Sequence, residues 1–414
     1  METYTLPCGL RIIASPSPTD VVYCGIAVDA GTRDELPSES GMAHFTEHLT
    51  FKGTSRRRSW HILNRMESVG GDLNAYTGKE ETVYYCSFLK EHFPRAIDLL
   101  LDITLGSVYP QHEMDKEVEV VIDEIESYND TPSELIFDEF EGLIFPGHPL
   151  GRNILGQADR LRQLRSEDVR RFTRRLYVPS RMVLFVYGNV PMKQIVREAE
   201  KAIGRVNNEK LIVNNGADDS LTRLAPQPLE AAEHTVTRHM DTHQAHVIVG
   251  TRAIGVNDPR HLSLYMLNNI LGGPGMNSRL NLALRERNGL VYTVESNLTS
   301  YTDTGMWTVY FGCDPDDVNR CLRLVRKELQ RLCDAPLSAS ALKAAKRQII
   351  GQLGISYDAF DNVAIGMGKR YLHYGTTLSP ERLTRQIEAL TAEDLHRTAC
   401  DIFLPDNFVT LIYR

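Results

Sequence analysis

The chain has no apolar stretch approaching the roughly 18 residues of a membrane span, no Cys-x-x-Cys pair, and no block of basic residues interleaved with aromatics. Each absence removes a class of function. Lacking the apolar stretch, the chain does not read as a helical membrane protein. Lacking a basic block, and with a formal net charge of −8 over 414 residues, it does not read as a nucleic-acid or anionic-lipid binder. Its seven cysteines, Cys8, Cys24, Cys86, Cys313, Cys321, Cys333 and Cys400, are scattered and odd in number, as expected of reduced structural thiols. The opening METYTLPCGLRIIAS has no positive segment followed by an apolar one and reads as strand, turn, strand, so a cytoplasmic location is expected. LGGPGMNSRL, residues 271 to 280, lacks the Gly-Lys-Ser/Thr ending of a phosphate loop. It reads either as a flexible loop at a substrate or as a plain interhelical turn.

What is present is GMAHFTEHLTFKG, residues 41 to 53. On a helix His44 and His48 stand one turn apart with Glu47 on the same stripe, while Met42, Phe45 and Leu49 fall on the opposite, core-facing side. Two imidazoles at that spacing can share a metal ion, but a catalytic zinc needs a third protein ligand. A candidate lies in HEMDKEVEVVIDEIESYND, a long helix by its period. Glu117 and Glu124 are seven apart there, about 20° short of two full turns, so both carboxylates share one face with Val121 between them. One could ligate and the other support. Taken alone, the run reads as a solvated acidic face.

In chain order, residues 20 to 29 form a strand ending at Gly31, and Ser38 or Ser40 is expected to cap the His44 helix. GDLNAYTGKEETVYYCSFL reads as a hairpin turning near Gly78. Residues 1-204 form one domain, the polar and turn-rich 205-232 a linker, and 233-414 a second domain. The second repeats the first: Gly31-Thr32-Arg33 recurs as Gly250-Thr251-Arg252, and Pro179 and Pro405 precede similar strands, at offsets of 219 and 226. At the first offset His44, Glu47 and His48 map onto Ser263, Met266 and Leu267, which confines any metal chemistry to the first copy. The fold expected is α+β, with two similar domains of mainly antiparallel sheet flanked by helices. His234, His239, His243 and His246 form a histidine-rich tract whose alternation along a strand splits them between two faces, so it reads as ordinary surface. Arg285 stands seven residues before Tyr292 in LRERNGLVY, where a helix runs into a strand, and sequence physics alone assigns neither a role.

These motifs together resemble, over essentially the whole chain, the inverted zincins of the pitrilysin, insulin-degrading enzyme and mitochondrial processing peptidase family, in its short two-domain form. HFTEHLTFKGT is close to that family's signature helix, and EVEVVIDEIE supplies its E-x6-E element. The resemblance implies one zinc ion per chain held by His44, His48 and Glu124, with Glu47 as general base and Glu117 as a supporting carboxylate. LNAYT is similar to the family's substrate-pairing edge strand, implying that Asn74 and Ala75 bind peptide by strand addition. LRERNGLVY is similar to the family's Arg-x6-Tyr element, implying that Arg285 contacts a substrate carbonyl and Tyr292 the substrate or the developing oxyanion. Each chain is then expected to be half of a clamshell, a homodimer completing its sites in trans and hydrolysing unfolded peptides or short polypeptides. Pro274 departs from the family's glycine-rich loop and stiffens it. The alternative is a non-catalytic scaffold or partner subunit of the same fold, a role that normally accompanies loss of part of the metal motif.

Overall fold

The computed structural model describes residues 1–206, 223, 225–227 and 234–414. The chain divides into two compact units. The first holds Met1–Glu126, Arg152–Arg223 and Ser356–Thr377, and the second Ser127–Gly151, Leu224–Ile355 and Leu378–Arg414.

Unit 1 is built on a six-stranded sheet of β1 (Glu2–Thr5), β2 (Arg11–Ser15), β3 (Val21–Val28), β4 (Asp72–Thr77), β5 (Thr82–Leu89) and β6 (Met182–Tyr187), in the spatial order β1-β2-β6-β3-β5-β4. All neighbours are antiparallel except β2 and β6. Side chains alternate between the faces of a strand, and both faces are covered here, which is why β3 and β6 read as nearly continuous apolar runs. Val22, Cys24, Ile26, Tyr84, Leu184 and Val186 point into the main core against the helix Phe93–Gly106. Ile13, Ala27, Val83, Val183 and Phe185 point the other way, onto Ala364, Met367 and Leu372 of the helix Phe360–Tyr374. That helix lies close because Gly368 faces Phe185: a Cβ there would come within 2.4 Å of the ring.

Unit 2 has five strands, β7 (His234–Arg238), β8 (Ala245–Ile254), β9 (Val291–Ser300), β10 (Thr304–Cys313) and β11 (Val409–Tyr413), ordered β7-β11-β8-β10-β9, with only β7 and β11 parallel. This repeats the order β2-β6-β3-β5-β4, including the one parallel pair, so the internal repeat is a repeat of topology. One buried sheet face packs against Ile136, Phe140 and Ile144 of the helix Pro132–Ile144.

The α+β class and the two similar sheets agree with the sequence reading, but the compact units are not contiguous halves. Each sheet has a second apolar face that its own half of the chain leaves bare, and a helix from beyond the expected boundary covers it. The expected linker, 205-232, lies mostly outside the described residues. Arg223, which is described, donates from Nη2 to Asp34 Oδ2 and Asp29 Oδ1, both at 2.8 Å. The Gly-Thr-Arg match is not a structural equivalence, because Gly31-Thr32-Arg33 follows β3 in a turn whereas Gly250-Thr251-Arg252 lies within β8. Ser263, Met266 and Leu267 are nonetheless buried in the helix His261–Gly272 that follows β8. No described helix is long and apolar enough to cross a membrane.

Candidate metal centre and catalytic site

The helix Met42–Thr50 carries His44, Glu47 and His48, and its apolar side, Met42, Phe45 and Leu49, is wholly buried in the unit 1 core. Neither Ser38 nor Ser40 caps it. Its N-cap is Gly41, left-handed at φ 83°, where a Cβ would lie 2.9 Å from Gly156 Cα. The free amides of the first turn are met instead by Glu35, a buried carboxylate that accepts from Ala43 N at 2.9 Å and Gly41 N at 3.2 Å. Burial outweighs these bonds and raises the Glu35 pKa to about 8, so the side chain serves the helix N-terminus as a hydrogen-bond acceptor more than as a charge.

The helix Gln111–Asn129 brings Glu117 and Glu124 to the same place, with Val121 buried between them. Glu124 Oε1 is 3.7 Å from His44 Nε2, and Glu124 Oε2 is 3.5 Å from His48 Nε2. One donor atom from each of the three residues falls within a 4.8 Å cluster, which is the single group of three or more potential metal ligands among the described residues. Glu117 stands one step back. Its Oε1 accepts from His48 Nδ1 at 2.9 Å, and its Oε2 pairs with Lys52 Nζ at 2.6 Å. Of the two acidic positions that spacing leaves equivalent, Glu124 therefore faces both imidazoles, while Glu117 orients one of them from behind.

The electrostatics match a cation site. Burial, helped by the neighbouring His48, lowers the His44 pKa to about 4, so that imidazole is neutral and its lone pair free; its Nδ1 is buried without a hydrogen-bond partner. Burial also opposes a charge on His48, but hydrogen bonds to Glu117 and Glu124 outweigh it and push that pKa up to about 9. With two carboxylates facing it, the site demands positive charge, and a divalent cation held by His44, His48 and Glu124 would supply it in place of that proton. Zinc fits this donor set of two nitrogens and one carboxylate oxygen. Glu47 is half-buried beside the cluster, and burial raises its pKa, offset in part by the hydrogen bond from Thr77 Oγ1 to its Oε2 at 2.6 Å.

The remaining candidates divide. Asn74 and Ala75 lie on β4, an edge strand of its sheet among the described residues. Ala75 N donates at 2.8 Å to the Asn74 side chain, Oδ1, so the edge amide available for an added strand is covered by its own neighbour. Arg285 and Tyr292 belong to unit 2, Arg285 in a π-helical turn, Asn281–Glu286, and Tyr292 in β9. The Arg285 guanidinium lies 5.4 Å from the centre of the Tyr292 ring, a cation–π contact, and Tyr292 is 79 % exposed. In the histidine-rich tract, His246 Nδ1 hydrogen-bonds the Tyr310 hydroxyl and His239 Nδ1 bonds the Arg414 carbonyl, which are ordinary structural contacts. Sequence reasoning missed Glu35, Lys52 and Thr77. Lys52 lies just past the end of the helix, two residues beyond Thr50, where helical spacing no longer places it.

Two imidazoles one turn apart, closed by a carboxylate from a second helix and flanked by two further carboxylates, Glu117 and Glu47, form a donor set that a zinc ion would fit. Residues 11–158 match the insulinase (peptidase family M16) domain, and residues 163–349 match the peptidase M16 inactive domain. The chain is 31% identical over 413 residues to an uncharacterized zinc protease of Bacillus subtilis, covering 100% of this chain and 98% of that one. It is 33% identical over 400 residues to another from Streptomyces coelicolor, covering 96% and 86%. Over 405 residues it is 31% identical to the mitochondrial-processing peptidase subunit beta of Saccharomyces cerevisiae, covering 95% and 87%. In fold it matches the crystal structure of a protease from Helicobacter pylori, with a TM-score of 0.90 at 21% identity over 100% and 99% of the two chains. The chain belongs to peptidase family M16.

Proposed function

We propose that the protein is a zinc-dependent endopeptidase that hydrolyses unfolded peptides or short polypeptides. The observation that carries this reading is the convergence of His44, His48 and Glu124 on one point with Glu47 at its side. A zinc ion held by those three residues, one per chain, would supply the Lewis acidity that makes water a nucleophile and polarises a peptide carbonyl. Glu47 takes a proton from the water that attacks the carbonyl carbon and returns it to the departing amine nitrogen as the C–N bond breaks. Glu117 holds the His48 ring in register through Nδ1. The peptide lies along β4 in extended form, displacing the Asn74 side chain from the Ala75 amide, so selection acts on backbone conformation. Arg285 holds a substrate carbonyl, and Tyr292 contacts the substrate or the developing oxyanion, where one donor contributes a few kcal/mol in comparable sites.

Arg285 and Tyr292 belong to a different compact unit from the metal cluster, and we take the working enzyme to be a homodimer in which each chain completes its partner's site. Seven unpaired cysteines suit a reducing, cytoplasmic setting. The segment matching the inactive domain, 163–349, contains neither the three residues of the cluster nor Glu47, so that description and an active N-terminal half are compatible. Metal analysis of purified protein, paired with cleavage of a fluorogenic peptide before and after chelation, tests the reading. Zinc near one per chain and activity restored by added zinc are expected. A zinc-free protein that zinc cannot activate would favour the non-catalytic scaffold.

A further inference from the structure

Glu47 sits on a side chain with three rotatable bonds, between an imidazole that attracts its charge and a carboxylate, Glu124, that repels it. Several staggered arrangements are open to a carboxylate in such a setting. One contact selects among them. Thr77 Oγ1 donates to Glu47 Oε2 at 2.6 Å, the short range of a hydroxyl bonded to an ionised oxygen. The donor is itself held firmly. Thr77 is the last residue of β4 and pairs with Thr82 of β5, whose own hydroxyl is tied to Ala30 O at 2.8 Å. Behind it the hairpin closes with Gly78 N donating to Glu81 O at 2.7 Å and Thr32 N donating to Gly78 O at 3.3 Å.

We propose that Thr77 is the positioning residue for the general base. Its hydroxyl fixes Oε2 of Glu47 and so leaves Oε1 as the oxygen presented to the attacking water. Because that hydroxyl is carried by the edge strand, seating a peptide on β4 and aligning Glu47 become linked events: a strand drawn straight by an added partner keeps the donor in place, and a disordered edge releases it. This inference rests on the reading of Glu47 as base and of β4 as the peptide-pairing edge.

Thr77→Val keeps the β-branched shape and removes only the donor, while Thr77→Ser keeps the donor. Misplacement of a reacting group by about 1 Å can cost on the order of 100-fold. The valine variant is therefore expected to lose about 10- to 100-fold in kcat with KM within about threefold, and the serine variant to recover most of the loss. Zinc content should match wild type in both. In crystals of the metal-free valine variant the Glu47 carboxylate should occupy a different rotamer from wild type, a readout that needs no activity. Unchanged kcat in the valine variant would overturn the inference, as would a serine variant as slow as valine. A rise in KM at constant kcat would also overturn it, leaving Thr77 a part of the peptide-binding strand alone. If wild type itself cleaves no peptide, the peptidase reading fails, and the Glu47 rotamer decides the role of Thr77.

Discussion

Glu117 offers the most quantitative perturbation, because it stands behind His48 and outside the cluster of candidate ligands. Its two oxygens are both committed, one to His48 Nδ1 at 2.9 Å and one to Lys52 Nζ at 2.6 Å. Burial would raise its pKa, yet the bonds from His48 and Lys52 outweigh that and hold the carboxylate below its usual range. Glu117→Ala removes the acceptor that fixes the His48 ring and the charge that raises the ring's basicity. Loss of such an outer partner weakens zinc binding by about 10- to 100-fold, or roughly 1.4–2.8 kcal/mol. Glu117→Gln, which retains an acceptor oxygen, should fall between wild type and alanine. Lys52→Met, which leaves the His48 bond intact, should change affinity by less than about threefold. Competition against a chelating zinc indicator at fixed pH and salt measures all three. An alanine variant that binds zinc within twofold of wild type would refute the assignment, and total loss of zinc would make Glu117 a ligand itself.

Three further outcomes are expected. Chains carrying Glu47→Gln mixed with chains carrying Tyr292→Phe should regain part of the wild-type peptidase rate if sites are completed in trans, whereas no recovery in verified mixed dimers would mean that each chain works alone. Gly41→Ala forces a side chain into a left-handed turn at φ 83° and against Gly156 Cα, and should cost about 1–3 kcal/mol, read as a lowered thermal midpoint. Glu81 is buried, which alone would raise its pKa, but His373 at 2.9 Å and Lys369 at 2.5 Å lower it to about 2. Its contribution, up to about 3 kcal/mol, is therefore complete above the unfolded value near 4.5 and lost as pH falls toward 2. Denaturant melts of Glu81→Gln should show a stability deficit at pH 7 that shrinks below pH 4, and a deficit independent of pH would contradict the pairing.

The metal helix was legible because its information is local: His44, Glu47 and His48 share a stripe that 3.6-residue periodicity fixes, and Met42, Phe45 and Leu49 fix the opposite one. Glu117 and Glu124 were legible as a pair for the same reason. Which of them faces the imidazoles depends on how two helices pack, and spacing carries no information on that. The N-cap failed similarly. Serines at 38 and 40 satisfy the local rule, but a carboxylate at 35 reaches the same amides through a turn made by Gly41. The two sheets repeat one strand order, and a unit boundary at 223/224 falls inside the turn-rich stretch 205-232, yet the units are not contiguous halves, because the helices 132–144 and 360–374 cover sheets built from the other half of the chain. Thr77 is illegible in the sequence for a related reason: its hydroxyl acts across 30 residues, on a side chain that only the strand-to-helix packing brings near.

Glu47 is the proposed base for water attack, and Glu47→Gln removes that function alone. The amide cannot take a proton from water, while His44, His48 and Glu124 are untouched. The variant should bind zinc as wild type does and lose at least about 100-fold in kcat on a fluorogenic peptide. Zinc retained with cleavage at the wild-type rate would contradict the assignment of Glu47 as base, and with it the mechanism proposed for the chain.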